Sequence, residues 1–242
     1  MFLRMIPSGL TIGNLVLGLL AIVMSAEGDT SKAALMVVIG MVLDGLDGRV
    51  ARWLQAESEF GKQLDSLADL VTFGVAPAWI LYQTILGSLG VLGMMIGLLF
   101  PVCGALRLAR FNVQRKSFSY FVGLPITAAG GILATMSLYE NILNPSDVIL
   151  PVSMVILSSL MVSRVRYPNF KKLAFPKSAV IVVPLLAALV YVLFRIHAVF
   201  VNWIVFVAIA MYALYGVTRA ARAKRIAKAV EAEKDTSQSV IK

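Results

Sequence analysis

Eight apolar runs, each long enough to cross a bilayer as a helix, govern what this chain can fold into. They fall at about 9–26, 33–54, 64–86, 88–109, 122–143, 146–163, 178–195 and 198–217. A crossing takes about 20 helical residues. Inside lipid only helices or closed barrels satisfy the backbone, and continuous apolar runs favour helices. The rest of the composition agrees. Hydrophobic residues make up 59% of the chain and charged residues 14%, against about 25% charge in a soluble domain. Mean hydropathy is +0.85. The expected fold is all-α: a polytopic membrane bundle of about eight helices over residues 1–217, followed by a basic tail at 218–242. Arg4 and the stretch 23–26 loosely resemble a signal peptide and its cleavage site, but Thr11 and Asn14 interrupt the first run and argue for a retained helix.

The basic residues orient the bundle. With both termini placed in the cytoplasm, every Lys and Arg except Lys32 and Arg195 falls on the inner side, as the positive-inside rule requires. The net charge of +9 thus faces anionic headgroups and not nucleic acid. One cysteine, Cys103, and one histidine, His197, leave no intrachain disulfide and no Cys/His metal cluster.

Charges within membrane spans are costly and mark function. Here four carboxylates gather near the inner end of two successive runs. Asp44 and Asp47 are three residues apart, and Asp65 and Asp69 four apart, so each pair shares a helix face. A short turn makes the two helices antiparallel neighbours and brings all four acids to similar depth. They cannot all stay ionised without compensation, and divalent cations with oxygen ligands, Mg²⁺ or Mn²⁺, supply it. Gly45, Gly48 and Gly61 are expensive in helices. Gly48 and Ala51 bare the backbone on the face of Asp44 and Asp47, where a flat nucleotide could lie, and Arg52 follows as a partner for a phosphate or a carboxylate. The plainer readings are a polar cluster that glues helices and a cation or proton pathway. A pathway predicts acids along the whole span, and the outer half has almost none.

The run from Asp44 to Asp69 is D-x-x-D-G-x-x-A-R, eight residues, then G-x-x-x-D-x-x-x-D. It resembles the signature of the CDP-alcohol phosphatidyltransferase family. The resemblance implies that Asp44, Asp47 and Asp65 ligate two divalent metals, and that Asp69 also lines that site and acts as general base. It further implies that Gly48, Ala51, Arg52 and Gly61 line the cytidine nucleotide pocket, and that the enzyme is a homodimer in the cell membrane. Pro7, Ser8, Thr11 and Asn14 resemble an N-terminal P-N-x-x-T-x-x-N pattern, with Ser8 in place of the usual Asn; Thr11 and Asn14 are accordingly expected at the CDP-diacylglycerol site. Residues 65–78, 107–112 (RLARFN) and 121–129 (FVGLPITAA) resemble the branch of the family that makes phosphatidylserine. The matched stretches cover most of 5–130, the expected catalytic core.

The implied reaction moves a phosphatidyl group from CDP-diacylglycerol to L-serine. The serine carboxylate needs a fixed cation, and Arg107 and Arg110 are the candidates. Thr72, seven residues after Asp65, is expected on the carboxylate face as a further acceptor contact. A loop from Lys116 to Pro125 is expected to cover the acceptor site. The same chemistry with glycerol 3-phosphate or inositol phosphate is the alternative within the class, and a cation or proton transporter the alternative outside it.

Overall fold

The computed structural model describes residues 5–113, 120–138 and 145–168, together with 211, 214 and 218. The last two expected spans, Arg115, Lys116, Arg195, His197 and the basic tail (211, 214 and 218 apart) lie outside these residues.

Among the described residues, seven helices carry the fold. They are α1 (Met5–Ala26), α2 (Thr30–Trp53), α3 (Glu59–Asp69), α4 (Ala76–Thr84), α5 (Gly90–Val113), α6 (Ile126–Ser137) and α7 (Ser146–Val162). A π-helical turn, Leu70–Val75, joins α3 to α4, and a 3₁₀ turn, Leu86–Leu89, precedes α5. Among the described residues, three helical stretches are long and apolar enough to cross a membrane: Ile6–Ala26, Glu59–Thr84 and Leu86–Val113. At 24 residues α2 is also long enough, about 36 Å. By contrast α6 has 12 residues, about 18 Å, well short of the run expected over 122–143. Its start is delayed because Tyr120–Val122 forms a strand, β1, antiparallel to β2 (Arg166–Pro168), with Phe121 opposite Tyr167. This three-residue ribbon is the one extended pairing among the described residues.

The outer surfaces are apolar in stripes. Ile12, Val16, Leu19 and Val23 recur on the exposed side of α1, as do Val91, Met95, Leu98 and Val102 on α5. That spacing is one helix face. The polar residues point the other way: Thr11, Asn14 and Thr72 are buried. An apolar outside around polar interior positions is the arrangement lipid demands.

The π-turn is the hub of the bundle, touched by α1, α2, α5 and α6. Small residues allow the approach. A Cβ on Gly18 would lie 2.5 Å from Thr72 Oγ1, and one on Gly40 would lie 2.7 Å from Thr72 Cγ2. On α6, a Cβ on Gly130 would run into the backbone carbonyl of Phe73.

The turn between α2 and α3 is encoded by the residues around it. Gln55 adopts a left-handed φ of 50°. Ala56 N donates to Ala51 O at 2.9 Å, and Gln55 N to Arg52 O at 3.2 Å. This pair of bonds is a Schellman cap. Ser58 then caps α3 by accepting from Gly61 N at 3.0 Å. At the other end of α2, Asp29 accepts from Lys32 N at 3.0 Å and pairs with its ammonium at 2.7 Å. The hydrogen bond from Lys32 holds the Asp29 carboxyl below the usual carboxylate range.

Candidate active site

The Schellman cap reverses the chain so that α2 and α3 both carry carboxylates toward one place. Oxygens of Asp44, Asp47 and Asp65 lie within 4.8 Å of one another. The acids of the two neighbouring helices meet as the sequence predicts, without close backbone packing of α2 on α3. α1 lies against both. Asp69, one turn beyond Asp65, is only 7% exposed. It feels the charges of Asp44, Asp65 and Asp47 and, with opposite sign, of Arg107. Its Oδ1 is buried with no hydrogen-bond partner among the described residues. A buried carboxylate oxygen without a donor is expensive. Three clustered carboxylates and this orphaned oxygen form an all-oxygen donor set that fits a hard divalent cation.

Thr11 belongs to this cluster from a third helix. Its hydroxyl donates to Asp47 Oδ2 at 2.8 Å and lies 3.0 Å from Pro7 O. It is expected at the lipid nucleotide, and in the structure its hydroxyl is bonded to one of the clustered carboxylates. Thr127, from α6, donates to Asp44 Oδ2 at 3.4 Å. Reasoning from sequence did not single out Thr127, although it lies inside the FVGLPITAA stretch. The clue available there was a hydroxyl directly after the helix-starting Pro125 and Ile126.

Asn14 and Thr72 meet about one turn further along α1. Both are fully buried, and Thr72 Oγ1 donates to Asn14 O at 2.9 Å. They form the crossing of α1 with the π-turn. Thr72 was expected on the carboxylate face from an α-helical count. The π-turn begins immediately after Asp69 and widens the helix, so that count no longer holds.

Gly48 and its neighbours present an open face. A Cβ on Gly48 would meet only Arg52 Nη1, at 3.6 Å, and one on Gly45 only Arg49 Nη1, at 3.8 Å. Ala51 is half-buried and Arg52 exposed. Gly61 has a structural reason of its own: a Cβ there would lie 3.1 Å from the capping Ser58 Oγ.

The RLARFN stretch ends α5 and points its polar residues in different directions. Arg107 is buried beside the carboxylates, with its guanidinium carbon 5.6 Å from the centre of the Phe111 ring. Arg110 instead donates to Val162 O at 3.0 Å, at the end of α7. Asn112 donates to Ser66 Oγ at 3.0 Å and to Gln63 Oε1 at 3.4 Å, tying α5 to α3. Arg107 thus lies within electrostatic reach of Asp69, while one guanidinium nitrogen of Arg110 is engaged at the end of α7. Of the loop expected to cover the acceptor site, residues 120–125 are described. They form β1 and a turn at Gly123, whose φ of +83° and closeness to Met161 O leave no room for a side chain.

A helical membrane-type bundle with clustered acids at one end is matched by comparison with known proteins. The chain belongs to the CDP-alcohol phosphatidyltransferase family, which it matches over residues 4–165. It is 42% identical to the CDP-diacylglycerol–serine O-phosphatidyltransferase of Bacillus subtilis over 69% of this chain and 92% of that one. The enzyme of the same name from Helicobacter pylori (strain 26695) is 37% identical over 78% of this chain and 83% of its own. That from Methanocaldococcus jannaschii is 35% identical over 68% and 74%.

Proposed function

We propose that this protein is a phosphatidylserine synthase, transferring a phosphatidyl group from CDP-diacylglycerol to L-serine with release of CMP. The observation that carries the reading is the meeting of the Asp44, Asp47 and Asp65 carboxylates within 4.8 Å, with Asp69 and Arg107 buried beside them. The names of the relatives supply the acceptor.

Asp44, Asp47, Asp65 and Asp69 would hold two divalent ions, Mg²⁺ or Mn²⁺. Such ions neutralise a pyrophosphate and stabilise the leaving CMP. The chain's own residues do the rest. The open face of Gly48 and Ala51 takes the cytidine nucleotide, Arg52 pairs with a phosphate and Gly61 sets the turn that closes this pocket. Thr11 fixes the rotamer of Asp47, while Asn14 and Thr72 hold the α1 crossing beneath the site. Arg107 grips the serine carboxylate as a planar cation. Asp69 accepts the proton of the serine hydroxyl as its oxygen bonds to the β-phosphorus. The bond from that phosphorus to the bridging oxygen breaks, and CMP keeps the electron pair.

The diacylglycerol stays in lipid throughout, so the site belongs at a membrane face. The distribution of Lys and Arg supports the cytoplasmic face of the cell membrane, both termini inside and about eight spans. One membrane domain, 1–217, has its catalytic core within about 5–130, and 218–242 is a basic tail. Homodimerisation rests on the family resemblance alone.

The test is CMP release by purified protein in detergent with CDP-diacylglycerol and Mn²⁺ or Mg²⁺. L-Serine, glycerol 3-phosphate and inositol phosphate are offered separately. Release with serine only, abolished by EDTA and restored by added metal, is expected. Release with a phosphorylated acceptor instead would overturn the choice of serine and keep the metal site.

A further inference from the structure

Apart from Thr127, every residue of α6 from Ile126 to Ser137 is buried. Thr127 is half-buried, and its hydroxyl faces Asp44 Oδ2 at 3.4 Å. Three residues on, Gly130 is seated against the backbone of Phe73, four residues after Asp69. Residues three apart share a helix face. One face of α6 therefore touches both carboxylate-bearing halves of the site: Asp44 of α2 through Thr127, and the turn that carries on from Asp69 through Gly130.

The start of α6 has little freedom to move. A Cβ on Gly104 of α5 would lie 2.5 Å from Ile126 Cδ1, and one on Gly74 3.4 Å from it. Gly123 N donates to Val165 O at 2.8 Å and Leu124 N to Leu160 O at 3.1 Å, fastening the preceding turn to the end of α7. A hydroxyl placed on so fixed a support sets the orientation of the carboxylate it bonds.

We infer that Thr127 is a positioning residue that orients Asp44 for metal binding and keeps it in register with Asp69. The inference rests on the metal-site reading above. Hydrogen bonds to metal ligands typically matter 10- to 100-fold in metal affinity or activity. The test is Mn²⁺ titration of the substrate-free protein in detergent, followed by electron paramagnetic resonance, alongside CMP release at graded Mn²⁺. Thr127→Val keeps the shape and loses the hydroxyl; it is expected to raise the half-saturating Mn²⁺ concentration about tenfold. Its kcat should recover at saturating Mn²⁺, with the KM for serine unchanged. Thr127→Ala should show the same loss, which separates the hydroxyl from a packing defect peculiar to valine. Thr127→Ser should restore wild-type behaviour.

Unchanged Mn²⁺ affinity in Thr127→Val overturns the inference. So does an equal loss in Thr127→Ser, or a rise in the serine KM with Mn²⁺ affinity intact, which would place the hydroxyl on the acceptor. A wild-type protein that binds no Mn²⁺ sinks the metal-site reading as well, and so distinguishes the two failures.

Discussion

Two polar regions lie one above the other in this bundle, and they use similar side chains for opposite purposes. At the acid cluster, Thr11 and Thr127 donate to carboxylates of α2. Deeper in, Asn14 and Thr72 meet where Gly18 and Gly40 let the helices press together. Thr11 and Asn14 are three residues apart on the same helix. A polar residue in a membrane span is therefore not enough to mark chemistry. What separates the two regions is the company: clustered acids in one, closely packed glycines in the other. The acid cluster should fail catalytically when altered, and the crossing should fail structurally.

The largest effect is expected at Asp69. Replacing it with Asn keeps the shape and removes the proton acceptor. General bases contribute roughly 10²- to 10⁴-fold, so Asp69→Asn should lower kcat by that order while leaving CDP-diacylglycerol binding within a few-fold. Turnover and substrate binding are measured on the same preparation. Near-normal kcat would remove Asp69 from the base role.

The two arginines of α5 sharpen the comparison further. Arg107→Ala removes a buried cation beside the acids, and the KM for serine should rise about 10- to 100-fold, the scale of a charge-assisted contact. Arg110→Ala should leave that KM unchanged and lower the thermal midpoint, because its partner is the Val162 carbonyl at the end of α7. The reverse pattern would move the carboxylate clamp to Arg110.

Much of this was legible in the sequence, for physical reasons. Apolar runs of membrane length can only be helices, and α1, α2, the α3–α4 rod and α5 appear where the runs predict. The four aspartates were legible because their spacing fixes a face within each helix. Features that depend on a break in regular geometry were not. The π-turn after Asp69 shifts the count by which Thr72 seemed to face the acids. The ribbon of β1 with β2 pairs residues more than forty positions apart, beyond the reach of any local pattern. The contact of Arg110 depends on where α7 ends, which no spacing within RLARFN encodes. The contact of Thr127 with Asp44 likewise joins helices distant in sequence.

One substitution made twice on α2 tests the comparison most directly. Gly40 and Gly48 are eight residues apart on the same helix. Alanine at either gains about 1 kcal/mol of helix propensity over glycine. At Gly40 the new methyl would lie 2.7 Å from Thr72 Cγ2 and 2.8 Å from Asn14 Oδ1. Thr72 is β-branched and bonded to Asn14 O, so it cannot swing aside. Overpacking of this kind costs about 1–3 kcal/mol, enough to outweigh the propensity gain. Gly40→Ala should therefore lower the thermal midpoint by a few degrees while Mn²⁺ affinity stays near wild type. At Gly48 the methyl would meet only the tip of Arg52, at 3.6 Å, and the propensity gain stands. Gly48→Ala should keep or raise the midpoint and weaken CDP-diacylglycerol binding by crowding the face the nucleotide occupies. If both variants lose stability and neither loses substrate, the face at Gly48 is packing surface like the crossing, and the nucleotide lies elsewhere.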